Sequence, residues 1–362
     1  MTSPRDCRVC LLNRFSAGLE DWPLLVAVDV GNRVGFGHLK RCIAIGEHAR
    51  LAGAQVNFQI GGDFAAGFRL IEMAGFDCSI NVNESAGAKI ILADRVHAET
   101  LDYPQSLEVD IARWREDGAR IVLIDGAGTD SLRHLRRPHL PIDLFVAPYA
   151  GERQTESSIR ILAGPAFAPL GAEYQSAARR EIRPEADQIL VSCGGSDPFE
   201  ITARIMAALE EIRDRRLVVQ VVLGPGFEPS YRAGLVGAAH NSPHRIECVN
   251  APDSLAPHMR WCDLAVTTSG LTKYELAATG TPALLISPDE MHARANEPFA
   301  ELGSAADLGA IKGVTPADIA SLLRALLNDR QRRFAMSRAG MREVDGRGAA
   351  RIASALRELF LC

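Results

Sequence analysis

Along most of this chain, short unbroken runs of apolar residues alternate with longer stretches whose apolar positions recur every three or four residues. Runs at 24–28, 55–60, 121–124, 143–146, 189–192, 217–223, 264–267 and 283–286 have the character of strands buried on both faces. Weaker strand patterns lie at 78–82, 89–92 and 246–249. Between them, 39–52, the stretch ending at Met73, 107–117, 200–212 and the stretch ending at Ala278 read as helices. Residues 316–327 and 330–361 read as helical to the end. Strands and helices alternating at this spacing predict βαβ crossovers and parallel sheets. The pattern pauses at 164–186, where prolines and charges cluster as in a linker. The predicted fold class is α/β, with two doubly wound, Rossmann-like domains facing a central cleft. Residues 1–22 lack periodicity and are expected to be an appended leader. The first domain spans 23–163, the second 187–345, and a helix at 346–362 is placed to pack back on the first.

Composition narrows the class of function. At 362 residues the chain suits two domains that each bury a core, and 47% hydrophobic with 23% charged residues is a globular balance. A formal net charge of −5, with arginines scattered rather than in a tract, argues against a general nucleic-acid or acidic-membrane binder. No apolar run reaches the length of a membrane span, and the N-terminus lacks a signal-peptide core. Eight cysteines occur. Cys42, Cys193, Cys248 and Cys262 lie in apolar contexts where a thiol acts as a small hydrophobe, and Cys7-x-x-Cys10 has no second pair at zinc-site spacing. The expected compartment is reducing cytoplasm. Oligomeric state is not legible.

The first strand delivers the most pointed feature. After 24–28 the chain breaks at Gly31-Asn32, turns through Gly35-Phe36-Gly37 and places His38 where a helix begins. A glycine-rich turn entering a helix presents free N–H groups and a positive dipole end to an anion. Asp29, at the strand end, is a candidate for orienting His38 or a substrate; its plainer role is a cap. In the second half, three strand ends carry glycines, at 193–197, 223–226 and 268–273, and in an open α/β sheet these share one edge. Gly270-Leu271-Thr272 opens a helix and offers backbone N–H groups and a hydroxyl to a diphosphate. Glu275, one turn on, is expected on an exposed helix face, where its carboxylate accepts both hydroxyls of a ribose. There is no P-loop, no well-placed G-x-G-x-x-G and no histidine or acidic cluster at metal-ligand spacing, so no cofactor and no metal are expected. The catalytic candidates are His38 and Asp29. The nucleotide and substrate candidates are Gly37, Arg41, Gly194, Gly195, Ser196, Gly224, Ser269, Gly270, Leu271, Thr272, Glu275 and Asn296.

These residues carry a resemblance. Asp29 with Gly35-Phe36-Gly37-His38-Leu39-Lys40-Arg41-Cys42 is similar to the D…G-x-GH-x-x-RC of the nucleotide-sugar hydrolase family of pseudaminic acid biosynthesis, which groups with spore-coat polysaccharide proteins. Gly164-Pro165 with Ala168, Leu170, Glu173 and Tyr174 resembles its linker, and Gly194-Gly195-Ser196-Asp197-Pro198 its central turn. Residues 263–282 resemble its G-x-T-x-x-E segment, and Asp345-Gly346-Arg347-Gly348-Ala349 with Arg351 its C-terminal motif. The matches run in order over about 26–355. The resemblance implies a GT-B fold and metal-independent hydrolysis of a UDP-linked amino sugar, with His38 activating water. It also implies nucleotide contacts at Gly194, Gly195, Gly270, Thr272 and Glu275. Two segments depart from the family pattern: Asp125-Gly126-Ala127 lacks a tyrosine, and 289–296 replaces an asparagine–glutamine pair. The alternatives are a GT-B glycosyltransferase, with His38 deprotonating an acceptor hydroxyl, and a non-catalytic nucleotide-sugar binder.

Overall fold

The computed structural model describes residues 21–30, 36–62, 64–80, 85, 87–95, 106–124, 141–151, 159–175 and 180–362. The expected leader up to residue 20, the Cys7/Cys10 pair, residues 31–35 and the Asp125-Gly126-Ala127 segment lie outside them. Among the described residues the first half holds β1 (Trp22–Val30), α1 (Gly37–Leu51), β2 (Ala54–Gly62), α2 (Phe64–Met73), β3 (Asp77–Ser79), β4 (Ile90–Asp94), α3 (Ser106–Glu116), β5 (Arg120–Ile124), β6 (Leu144–Ala147) and β7 (Arg160–Ala163). Its strands form one parallel sheet in the order β3-β2-β1-β4-β5-β6-β7. The second half holds β8 (Gln188–Ser192), α4 (Ile201–Leu209), β9 (Val218–Leu223), α5 (Pro229–Asn241), β10 (Arg245–Asn250), α6 (Ala256–Trp261) and β11 (Leu264–Thr267). It continues with α7 (Thr272–Ala278), β12 (Ala283–Ser287), α8 (Glu290–Glu301), β13 (Ala305–Ala310), α9 (Pro316–Asn328), α10 (Arg330–Glu343) and α11 (Gly348–Leu361). These strands form a second parallel sheet, β10-β9-β8-β11-β12-β13.

The central strands are apolar on both faces because helices cover both sides of a parallel sheet. In β4, β11 and β12 every residue is buried. Both sheets reverse their winding between their first strand and a later one, β1 beside β4 and β8 beside β11. A crevice for ligands opens at the carboxyl ends of such a pair.

Several elements differ from the pattern reading. Trp22 starts β1 and is fully buried, so the core begins inside the stretch expected to be leader. β7, α5, α6, α8 and β13 carry no clear period of their own in sequence; β13, for example, is the small-residue run Ala305–Ala310. The helical stretch 330–361 is two helices, broken around Gly346, whose φ of +76° suits glycine. After that break α11 crosses to the first sheet, and Ile352, Ala353 and Leu356 join a core built on β1, α1 and β2.

Candidate active site

At the first crevice, β1 and β4 pair in register, with Val28 opposite Asp94. Asp94 is the last residue of β4 and is fully buried. Side chains from the start of α1 converge on it. The guanidinium of Arg41 grips both carboxylate oxygens, Nε to Oδ2 at 2.5 Å and Nη2 to Oδ1 at 2.6 Å. Nδ1 of His38 lies 2.7 Å from Oδ1. Burial works against the charge of Asp94, but Arg41 and His38 outweigh it and hold the carboxyl well below the usual carboxylate range. Burial, with the charge of Asp94 beside it, pushes the adjacent Cys42 thiol well up.

Two neighbours compete for Nδ1 of His38: Oδ1 of Asp94 at 2.7 Å and Nη2 of Arg41 at 3.0 Å. An ionised carboxylate only accepts and a guanidinium only donates. The shorter contact and the charge on Asp94 assign the proton to Nδ1, donating to Asp94. The lone pair is then on Nε2, which has no partner among the described residues. Asp94 holds the imidazole at Nδ1, and 13% of the His38 side chain remains exposed.

Asp29 does not orient His38. Its carboxylate accepts from Nε of Arg95 at 2.8 Å, and Arg95 reaches on to Asp110 at 3.3 Å. The reason is the pleat: Val28 pairs with Asp94, so the next residue, Asp29, points to the opposite face of the sheet, level with Arg95, and a Cβ at Gly61 would collide with its Oδ1. Arg41, expected to bind substrate, is 4% exposed and fully engaged by Asp94 and the Tyr149 hydroxyl. Gly37 is exposed at the start of α1.

At the second crevice the glycines make an open cradle. Gly194, with φ +86°, and Gly270, with φ +98°, are exposed, and a Cβ on either would meet nothing within 4 Å. Gly195 is exposed and equally open. Gly224 is different: a Cβ there would run into the carbonyl oxygen of Gly195, so its role is to let two turns touch. Asp197 ends the first turn by capping α4, accepting from the N–H groups of Ile201 and Thr202 at 2.9 and 2.8 Å and from the Tyr231 hydroxyl at 2.9 Å. Ser196, Ser269, Leu271 and Thr272 are half-buried around the cradle.

Glu275 departs from expectation. It is only 7% exposed, because α7 is buried along most of its length. Burial pushes its carboxyl up to about 7, with Lys40 and Tyr174 pulling the other way. Tyr149 bridges the two crevices: its hydroxyl accepts from Arg41 of α1, and its ring packs on Tyr274, the neighbour of Glu275 on α7, with centroids 6.1 Å apart. Asn296 also departs. It is fully buried, its oxygen accepts from Nζ of Lys273 at 2.6 Å, and its amide donates to Ser269 at 3.1 Å and Ser287 at 2.9 Å. It braces the loop from behind instead of facing a ligand. Lys273 sits over the rings of Tyr274 and Phe299, and burial lowers its ammonium to about 8.

No protein-family model matches the chain. Over 247 residues, 68% of this chain and 71% of the relative, it is 25% identical to the spore coat polysaccharide biosynthesis protein SpsG of Bacillus subtilis. A stretch of 175 residues, 46% of this chain and 47% of the relative, is 35% identical to the UDP-N-acetylglucosamine–N-acetylmuramyl-(pentapeptide) pyrophosphoryl-undecaprenol N-acetylglucosamine transferase of Acidithiobacillus ferrooxidans. The structure superimposes on MurG of Acinetobacter baumannii with a TM-score of 0.66 at 13% identity, covering 93% of this chain and 99% of that one. The fold is GT-B. On this GT-B frame the first domain presents the His38 imidazole and the second an open pair of glycine turns. Sequence reasoning pointed to both places, and it missed Asp94, Tyr149 and Lys273. Asp94 ends an apolar strand run, a signal that was available; nothing in the sequence marked the other two.

Proposed function

We propose that the protein is a nucleotide-sugar-dependent glycosyltransferase of surface polysaccharide biosynthesis, with a UDP-linked amino sugar as donor and His38 as general base. The observation that carries this reading is the His38–Asp94 pair, which holds Nδ1 and leaves Nε2 without a partner among the described residues, available to act as the base. Neutral His38 takes the proton of an acceptor hydroxyl as its oxygen attacks the anomeric carbon. The leaving UDP carries its charge into the backbone N–H groups of Gly194, Gly195, Ser196, Gly270, Leu271 and Thr272 and the hydroxyls of Ser269 and Thr272. The Glu275 carboxylate accepts the ribose hydroxyls. Two similarities support transfer: the 35% identity to an N-acetylglucosamine transferase and the frame shared with MurG. Hydrolysis, with water in place of the acceptor, is the second reading. It is favoured by the ordered motifs over 26–355 that resemble nucleotide-sugar hydrolases.

UDP release from UDP-N-acetylglucosamine, measured with and without a panel of acceptor alcohols, separates the two. Acceptor-dependent release supports transfer, and equal release without acceptor supports hydrolysis. In either case His38→Asn should cut release by about 10²–10⁴-fold, the usual worth of a positioned base, while UDP affinity holds. Full activity in that variant removes His38 from the mechanism.

A further inference from the structure

After β6 ends at Ala147, the chain leaves the first sheet through Tyr149, Ala150 and Gly151, which between them meet Arg41 of α1, Tyr274 of α7 and Pro298 of α8. The Tyr149 hydroxyl accepts from Nη1 of Arg41, whose other nitrogens hold both oxygens of Asp94, which in turn holds Nδ1 of His38. The Tyr149 ring packs on Tyr274 with centroids 6.1 Å apart, and the Ala150 N–H donates to the Tyr274 hydroxyl at 2.9 Å. Gly151, at φ +88°, runs so close to α8 that a Cβ there would lie 2.8 Å from that of Pro298. Tyr274 belongs to α7, between Lys273 and Glu275, is 1% exposed, and meets Phe299 of α8 edge-on at 5.0 Å.

We propose that Tyr149 is a positioning residue for His38, and that its seat on Tyr274 makes the setting of the base depend on the helix that follows the second domain's glycine loop. This rests on the reading of His38 as the base. The physical argument starts from Arg41. Its buried guanidinium has three arms, two on Asp94 and one on Tyr149. Without the phenol oxygen, Nη1 is a buried charged donor with its bond lost, which is costly enough to turn the guanidinium toward another acceptor. Asp94 moves with it, because both its oxygens are bound to Arg41, and a base displaced by about 0.5 Å is already outside productive geometry. Tyr274 acts one step further away. It fixes Ala150 through its hydroxyl and the Tyr149 ring through its own, so the phenol reaches Arg41 only while the segment is seated on the second domain.

The test uses the full chain and two ring-conserving variants, Tyr149→Phe and Tyr274→Phe. The first readout needs no turnover: ¹H–¹⁵N signals of the His38 imidazole in protein labelled at histidine. Both variants should move those signals, Tyr274→Phe included, although Tyr274 does not touch His38. UDP affinity by calorimetry should stay at the wild-type value in Tyr149→Phe. The second readout is kinetic. In Tyr149→Phe, kcat should fall about 10–100-fold, as when an outer partner of a functional imidazole is removed, with KM nearly unchanged. The double variant should lose little more than the worse single one, since both act along one chain of contacts. Unmoved His38 signals in Tyr274→Phe, or a KM increase without a kcat loss in Tyr149→Phe, would overturn the proposal. If no UDP is released by the wild type, the imidazole signals still decide the positioning role, so the two failures stay distinguishable.

Discussion

His38 and Asp94 lie 56 positions apart in the chain and meet because β1 and β4 are neighbours in the first sheet. Asp94 sets the tautomer and Arg41 keeps Asp94 ionised, so one buried carboxylate serves both the proposed base and the fold. Asp94→Asn should therefore lose activity and also about 3–5 kcal/mol of stability, because the buried Arg41 charge is left without its partner. The pH dependence follows from the depressed carboxyl. Its contribution is complete above the unfolded-chain value of about 4 and is lost as pH falls through the lower folded value. Unfolding of wild type and variant compared from pH 7 downward should show a gap that narrows below about pH 4; a constant gap would mean that Asp94 does not carry it. Glu275 has the opposite sign. Its carboxyl is pushed up to about 7, so the folded chain holds the proton more tightly than the unfolded one, and stability falls as pH rises from about 4 through 7. Glu275→Gln should be more stable than wild type at about pH 8, above both values. Ribose hydroxyls need the ionised acceptor, so UDP affinity should rise through about pH 7 in wild type and stay flat in the variant. Parallel pH curves in calorimetry would remove Glu275 from the ribose.

The second-domain cradle works as two turns in contact, with Gly224 against the carbonyl of Gly195 and the Gly226 N–H donating to that same oxygen at 2.8 Å. A methyl at 224 cannot be accommodated without moving the 194–197 turn, because the obstacle is backbone. Gly224→Ala should cost about 1–3 kcal/mol, as overpacking does, and weaken UDP binding at the same time. The control is Gly234→Ala, in the interior of α5, where the added methyl meets nothing within 4 Å and UDP binding should be normal. Chemical denaturation and calorimetry on the pair check this; equal behaviour would show that the turn contact is dispensable. Here the glycines were legible as a group, since three strand ends in one domain carried them. Which of them faces open space and which packs was not, because that depends on how β8 and β9 bring their turns together.

In the whole molecule, α11 completes the core of the first domain, while Ala150 of the first half packs in a core of the second beside Tyr274 and Phe299. The helix α11 is reached from the second domain, yet Ile352 and Leu356 are fully buried against the first, and Phe360 stacks on Trp22 with centroids 6.0 Å apart. Burying each large aliphatic side chain contributes about 1.5–3 kcal/mol, against a total stability of about 5–15 kcal/mol for a domain. Deleting residues 348–362 should thus melt the first domain at a much lower temperature while the second keeps its transition. Calorimetry with limited proteolysis reads both; an unchanged first transition would show that the helix only decorates the surface.

The class of the fold, the two parallel sheets and the glycine-rich strand ends were readable from the chain, because a strand buried on both faces and a turn needing positive φ each leave a local mark. The position of His38 was readable for the same reason, standing at a glycine-flanked strand-to-helix turn. Burial of Glu275 and Asn296, the choice of Asp94 over Asp29 as partner of His38, and the seat of Tyr149 on Tyr274 were decided only in three dimensions. Each depends on which strands become neighbours and how one domain meets the other. A carboxylate at a strand end looks alike in sequence whether an arginine, a histidine or water faces it. Strand order and long-range packing make that choice, and they act between residues that the chain keeps far apart.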